Sequence, residues 1–498
     1  MKKILLAALM TATLLVNAQQ NILLDQNFWK TSPDLEALKA AIAKGSDPSQ
    51  LNPMAFDPVV MAINNNASFE SIKFLLDQPG NSVNKLTHDA RIYLHWAALK
   101  GNIELTKYLI TKGSDINLED SHGTTPLVFA SGSGQTNFDL YEAFFKAGLD
   151  PKKKYKDGAN LLLLSISNDK DLVLTNYFIS KGLSLKDIDN EGNTAFDYAA
   201  RSGNVNLLKT LSGKGVKYTN NALINAAQGS RRSASTIEVY QYLADELKIK
   251  PNYSTSNNQT VLHFLARKEK QSEIVTYFIG KGVDVNQADK EGNTAFMVAS
   301  AGRDLELLQI LLPKVKNRNA LNAKGESALT QAVKSSNAQV VAFLLENGAA
   351  SAVLDKNGSN LAYYLVESYR APRGGMNGGP AQKDDFGDKL NLLQKNGLDL
   401  AAKQKDGNTL YHTAIAKNDL VLLKKLEILK IDVNIKNSEG LTVLHKAAMM
   451  GKDDIILKYL LSIGAQKEIK TEFDETAYDL AKENELLKKN TISIEFLK

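Results

Sequence analysis

Six histidines, His88, His95, His122, His263, His412 and His445, and no cysteine bound the chemistry open to this 498-residue chain. Without thiols there is no disulfide, no thiolate nucleophile and no zinc–thiolate centre. No G-x-S-x-G elbow, H-E-x-x-H pair or Ca²⁺-loop pattern occurs. The Ser131–Gln135 stretch SGSGQ resembles a nucleophile turn only in isolation, because Gly134 falls where a helix should end. Four glycines between Pro372 and Pro380 suggest a phosphate cradle, but the Lys-Ser/Thr of a P-loop is missing and no strand precedes them. The histidines remain. His263, His412 and His445 each stand three residues after a threonine, Thr260, Thr409 and Thr442, and His95 occupies the same place in its own stretch. Elsewhere that place holds Val128, Asp197, Met297, Thr330 or Asp479. A catalytic histidine would not be so replaceable, so these four read as architecture. His88 and His122 fall at turns. The sequence therefore offers no catalytic, metal or cofactor residues.

What positions the histidines is a repeat. EGLTVLHKAAMMGKDD (Glu439–Asp454) aligns with DGNTLYHTAIAKNDL from Asp406, EGNTAFMVASAGRDL from Glu291, EGNTAFDYAARSGNV from Glu191 and RIYLHWAALKGNIEL from Arg91. Gly292, Gly325 and Gly358 are 33 residues apart, as are Gly407 and Gly440, while Gly123, Gly158 and Gly192 follow at 35 and 34. In one repeat, Thr442 caps a first helix, and the pairs Thr194–Asp197 and Thr476–Asp479 have capping-box spacing. The small pair Ala447–Ala448 allows close helix approach, and Gly451 ends the helix. In the second helix Ile455, Ile456, Tyr459 and Leu460 have helical spacing for burial. One repeat cannot bury its apolar faces alone, so stacked neighbours must do so.

The period and the stretches LHWAALKGNIELTKYLITKGSDIN (Leu94–Asn117) and TVLHKAAMMGKDDIILKYLLSIGA (Thr442–Ala465) resemble the ankyrin repeat. The resemblance implies an all-α solenoid of about fourteen helix-turn-helix repeats with short hairpin loops, about 100 Å long at 8–10 Å per layer. It implies that the Thr-x-x-His pair braces the helix start against an adjacent loop. It also implies a non-catalytic protein binder, with contacts from the concave face of first helices and from hairpin tips beside the turn glycines. Those tip residues are Ser121, His122 and Thr124; Asn190, Glu191 and Asn193; Lys290, Glu291 and Asn293; and Lys405, Asp406 and Asn408.

The chain then divides into a leader, 1–18; an N-terminal cap, 19–54, into which Trp29 packs; repeats over 55–256 and 257–370; a Gly/Pro-rich insertion, 371–385; repeats over 386–473; and a C-terminal cap, 474–498. Two departures from the template are further contact candidates: Arg231 and Arg232 in an irregular repeat, and Arg373, Met376 and Asn377 in the insertion. Lys2, Lys3, the apolar run Ile4–Val16 and the small-residue site at Ala18 form the layout of a signal peptide. No later segment reads as a membrane span. The expectation is export to the periplasm, with full secretion left open. Net charge is +5, with acids and bases interspersed, which argues against a nucleic-acid partner. The expected state is a monomer with no cofactor and a protein partner of unknown identity. Two narrower roles remain: an accessory factor for an exported enzyme such as an oxidative-stress enzyme, and a secreted effector acting on a host or competitor.

Overall fold

The computed structural model describes residues 21–229, 235–371 and 384–498. Among these residues it is all-α, with 28 α-helices in antiparallel pairs, short 3-10 turns and three isolated bridges where hairpin arms meet. Contacts divide the chain into two compact bodies, one up to Ser235 and one from Thr236. The first holds the cap helices Gln26–Lys30 and Leu35–Ala43, then pairs such as Tyr93–Leu99 with Ile103–Thr111. The second holds pairs such as Ala295–Ser300 with Leu305–Leu311 and Val443–Met450 with Ile455–Ser462. Helices Leu361–Glu367 and Phe386–Lys395, which flank the 371–385 insertion, pack on each other as one pair.

The first helix of each pair is sandwiched between neighbours, so almost every side is buried. Tyr93, Leu94, His95, Trp96, Ala97 and Ala98 are all buried. The second helix is amphipathic: Ile103–Thr111 buries Leu105, Thr106 and Leu109 and exposes Glu104 and Lys107. The small pair behaves as expected, with Ala447 and Ala448 both buried. Ala448→Leu should overpack this contact and cost about 1–3 kcal/mol. A urea midpoint unchanged from the parent chain would contradict the register. Trp29 is buried in the cap and donates Nε1–H to the Leu23 carbonyl at 2.8 Å.

Two local expectations are corrected. Ile455 is not buried but 53% exposed, and Leu457 joins Ile456, Tyr459 and Leu460 in the core. Ile455 lies at the outward edge of the first turn, where helical spacing alone does not separate the two faces. Gly451 ends its helix with φ −63°, outside the left-handed region. Glycine is needed there because a Cβ would stand 2.8 Å from the Ala447 carbonyl oxygen.

Three recurring kinds of hydrogen bond, among others, join successive repeats. Backbone bonds run tip to tip: Ser121 N–H to Asp89 O, Asn190 to Asp157, Ala323 to Glu291, Lys356 to Lys324 and Ser438 to Asp406, at 2.7–3.0 Å. Asparagine amides clamp the next repeat. Asn286 accepts from Lys316 N–H at 2.8 Å and donates to Lys314 O at 2.9 Å, and Asn84, Asn319 and Asn434 repeat the arrangement. The third kind is made by the histidines.

Candidate functional site

Each hairpin is shaped from within. Asp289 Oδ1 accepts the N–H groups of Glu291 at 3.0 Å and Asn293 at 2.8 Å, and Asp120 and Asp189 do the same for His122 and Thr124 and for Glu191 and Asn193. These side-chain acceptors hold the tight turn that Gly292 closes at φ +82°. A Cβ on Gly292 would meet the Asn322 backbone at 3.0 Å, so glycine also permits the close approach of the next hairpin.

The four template histidines brace helix to hairpin. In His263 the Nδ1 accepts the Thr260 N–H at 3.0 Å, which leaves Nε2–H to donate to the Asn293 carbonyl of the next repeat at 3.0 Å. His412 does this with Thr409 and Leu441, His445 with Thr442 and Ile469, and His95 with Ile92 and Thr124. Burial lowers the basicity of all four rings, and the carbonyl partners only partly oppose it. Asp197 and Asp479 fill the same place with a carboxylate that accepts from the capping threonine. His88 and His122 belong to another set. Both lie beside the Asp89 carboxylate, at 3.5 and 3.3 Å, and Arg91 bridges Asp89 at 3.2 Å and Asp120 at 2.8 Å.

A groove on the second body has a volume of about 610 Å³. It runs between the tips at Glu291 and Lys324, the first helices at Val298 and Gln331, and Arg267 in the turn after helix Val261–Leu265. Its floor is a polar network. Glu326, only 4% exposed, accepts from Lys334 at 2.7 Å, Gln331 at 2.9 Å and Asn322 at 3.2 Å. Burial alone would raise its carboxyl, but the Lys334 ammonium and amide donors outweigh it and hold it below the usual range. Lys334 also lies 5.0 Å from the Tyr364 ring centre, and Tyr364 donates to Asp355 at 2.7 Å. This is a fixed pattern of donors and acceptors. Among the described residues no group of three or more His, Cys, Asp or Glu is placed to hold a metal.

The tip residues separate into two sets. Asn193, Asn293 and Asn408 turn inward: Asn193 donates to Asp189, and the side-chain Oδ1 of Asn293 and of Asn408 accepts from Asn322 and Asn437 at 2.9 Å. Thr124 is likewise half-buried, its carbonyl taken by His95. Ser121, His122, Asn190, Glu191, Lys290, Glu291, Lys405 and Asp406 are exposed. Of the tips, the groove gathers Glu291 and Asn293. Arg231, Arg232, Arg373, Met376 and Asn377 lie outside the described residues. Sequence reasoning missed Arg267, Glu326 and Lys334. The signal for Glu326 was present, since it follows Gly325 where three other repeats carry asparagine, Asn193, Asn293 and Asn408.

The family model for ankyrin repeats (3 copies) matches residues 27–120, 59–141, 133–222 and 262–357. The chain is 26% identical over 260 residues to the ankyrin repeat and KH domain-containing protein mask-1 of Caenorhabditis elegans, covering 51% of this chain and 10% of that one. It is 27% identical over 228 residues to the human transient receptor potential cation channel subfamily A member 1 (44% and 20%). It is 24% identical over 213 residues to the variola virus ankyrin repeat protein OPG189 (42% and 37%). The matched stretches thus span between a tenth and about a third of these relatives. Among solved structures, the ankyrin repeat domain of Bcl-3 matches at 21% identity and a TM-score of 0.34, over 51% of this chain and 93% of that one. With matches over more than half its length and paired helices of the expected period, the chain belongs to the ankyrin-repeat family, whose repeats are protein-interaction modules.

Proposed function

We propose that this protein is a non-catalytic scaffold that holds a protein partner on its hairpin tips and first-helix face, as a monomer in the periplasm. The observation that carries the reading is the groove above Glu326. Arg267, Glu291 and Lys324 stand exposed around a floor whose polar groups are already paired with one another. A site built this way orders charge and shape and offers no nucleophile activated by a base. Mixed signs at the rim suit a polar partner surface. Export is supported by the layout Lys2, Lys3, Ile4–Val16 and Ala18.

The test is capture from periplasmic extract with the chain from Gln19 onward, beside R267A/E291A/K324A and a variant lacking Arg373–Lys383. A protein held by the parent and lost by the triple substitution supports the groove. Loss only in the deletion moves the contact to the insertion. Equal capture by all three removes both from the partner site. Fractionation of the producing cells checks location: a cytoplasmic pool of uncleaved chain would remove the periplasm from the proposal.

A further inference from the structure

One buried residue breaks the packing pattern of the second helices. Eight residues before the glycine that follows the helix stands a buried aliphatic: Leu105 before Gly113, Leu140 before Gly148, Leu207 before Gly215, Val340 before Gly348 and Ile456 before Gly464. Before Gly397 the same position holds Lys389. It is only 7% exposed and shares the buried stripe of helix Phe386–Lys395 with Phe386, Leu390 and Leu393. A buried ammonium is costly unless its N–H groups find acceptors. Those of Lys389 are distant. The Val333 carbonyl lies 3.4 Å away and Asp385 Oδ1 3.7 Å away, and the other oxygen of Asp385 is taken by the Ala338 N–H at 2.8 Å. Burial lowers the basicity of Lys389, and Asp385 only partly opposes it.

Lys389 lines a cavity of about 500 Å³. The cavity is bounded by the ends of helices Ala328–Ser335 and Leu361–Glu367, which pack on each other, and by the start of Phe386–Lys395. Tyr369 lines it as well. Its hydroxyl is buried and has no hydrogen-bond partner among the described residues. Burial, with the Asp419 and Asp384 carboxylates, raises the phenol pKa, so the group stays a donor. Arg303 and Arg370 stand exposed on the cavity wall. Arg303 has no ion pair among the described residues, and Arg370 donates to the main-chain carbonyls of Glu367 at 3.3 Å and Tyr369 at 2.9 Å. Two other charges of the wall are already paired, Lys334 with Glu326 and Asp384 with Lys425, each at 2.7 Å.

We propose that this cavity binds a carboxylate group of a protein partner, with the Lys389 ammonium and the Tyr369 hydroxyl as donors to its two oxygens. The guanidinium groups of Arg303 and Arg370 draw the acid in and offer further charge-assisted hydrogen bonds. Two buried donors without adequate acceptors match the two oxygens of a carboxylate. Asp384 and Asp385 in the same wall oppose the second charge of a phosphate. The proposal rests on the reading of the chain as a protein binder only for the source of the carboxylate. The cavity adjoins the groove above Glu326 at Lys334 but does not use Arg267, Glu291 or Lys324.

The probes are acetyl-Gly-Gly-Glu-Gly-Gly-amide, whose acid is a side chain, and acetyl-Gly-Gly-Gly, whose acid is the chain end. Acetyl-Gly-Gly-Gln-Gly-Gly-amide and inorganic phosphate are the comparisons. Binding to the full chain is read by saturation-transfer NMR. One or both acids should bind with a Kd of about 1 mM, about tenfold tighter than the glutamine peptide. The tighter of the two identifies the source as an internal acidic side chain or a C-terminus. K389M restores an aliphatic residue at this position, so its melting temperature should not fall, while binding should weaken about tenfold. Y369F should weaken binding about fivefold, and R303Q/R370Q about fivefold at low salt and less at high salt. R267A/E291A/K324A should bind the peptides like the parent, so the groove and the cavity fail separately. The proposal is overturned if neither acid binds better than the glutamine peptide, if phosphate binds tighter than both, or if a folded K389M binds like the parent. Parent-like binding by both Y369F and R303Q/R370Q overturns it even where K389M fails to fold. Binding lost in the variant lacking Arg373–Lys383 would move the contact to the insertion and overturn it as well.

Discussion

Asp57→Ala is expected to lower stability by about 3–5 kcal/mol. Asp57 is fully buried and serves three partners. Its Oδ1 caps helix Pro58–Asn64 by accepting the Val60 N–H at 2.9 Å. Its Oδ2 accepts the Tyr93 hydroxyl of the next repeat at 2.6 Å and the Lys85 ammonium at 2.8 Å. Lys85 also donates to the Ser49 carbonyl at 2.7 Å and to Asn81 at 2.9 Å, so one ion pair ties the cap to the first two repeats. Burial and the adjacent carboxylate push the Tyr93 phenol far above its usual range, so it acts as a neutral donor. Alanine would take from a half-buried ammonium and a buried hydroxyl their shared carboxylate acceptor. Asp57→Asn keeps the cap and should cost less. Amide exchange should accelerate over the cap and first two repeats and stay unchanged beyond Thr236, because repeats are stabilised by neighbours. A loss below about 1 kcal/mol in urea unfolding would show that the pair adds little beyond its own desolvation.

The second large effect is on pH dependence. His95, His263, His412 and His445 are held neutral by burial, with Nδ1 occupied by a backbone N–H. Their folded pKa values lie below the unfolded value of about 6.5. The unfolded chain therefore binds more protons, and stability rises with pH through this range. The braces contribute fully above about pH 6.5 and are progressively lost as pH falls towards the depressed folded values. The slope can reach about 1.4 kcal/mol per pH unit for each histidine. Urea midpoints measured between pH 7.5 and 5 should fall, and H263Q/H412Q/H445Q should show a shallower decline from a lower starting point. Parallel curves for parent and variant would show that other groups set the acid limit.

Features that one repeat states completely were legible in the sequence. The Thr-x-x-His spacing announced the near half of the brace because the threonine and histidine lie within four residues of each other and recur at a fixed period, while the carbonyl that completes it comes from the next repeat. The Ala447–Ala448 pair announced close packing for the same reason. What a neighbour supplies was not legible. Asn84, Asn286, Asn319 and Asn434 read as ordinary loop residues until the next repeat places an N–H and a C=O against each amide. The groove floor was hidden similarly, since Glu326 gathers Asn322, Gln331 and Lys334 from both sides of a helix start. Ile455 failed for a different reason. Helical periodicity names a stripe, and at the edge of the stripe only the position of the adjoining helix decides which residue is covered.

The tip-to-tip bonds have a consequence for how such a surface can change. They join backbone N–H to backbone C=O at Ser121, Asn190, Ala323, Lys356 and Ser438, so cohesion passes through atoms that every residue except proline possesses. The outward side chains at these tips are free lettering on a spine that does not read them. Recognition can drift, or be rewritten by substitution, while the stack beneath stays equally firm, and proline is the one letter that such a tip must refuse.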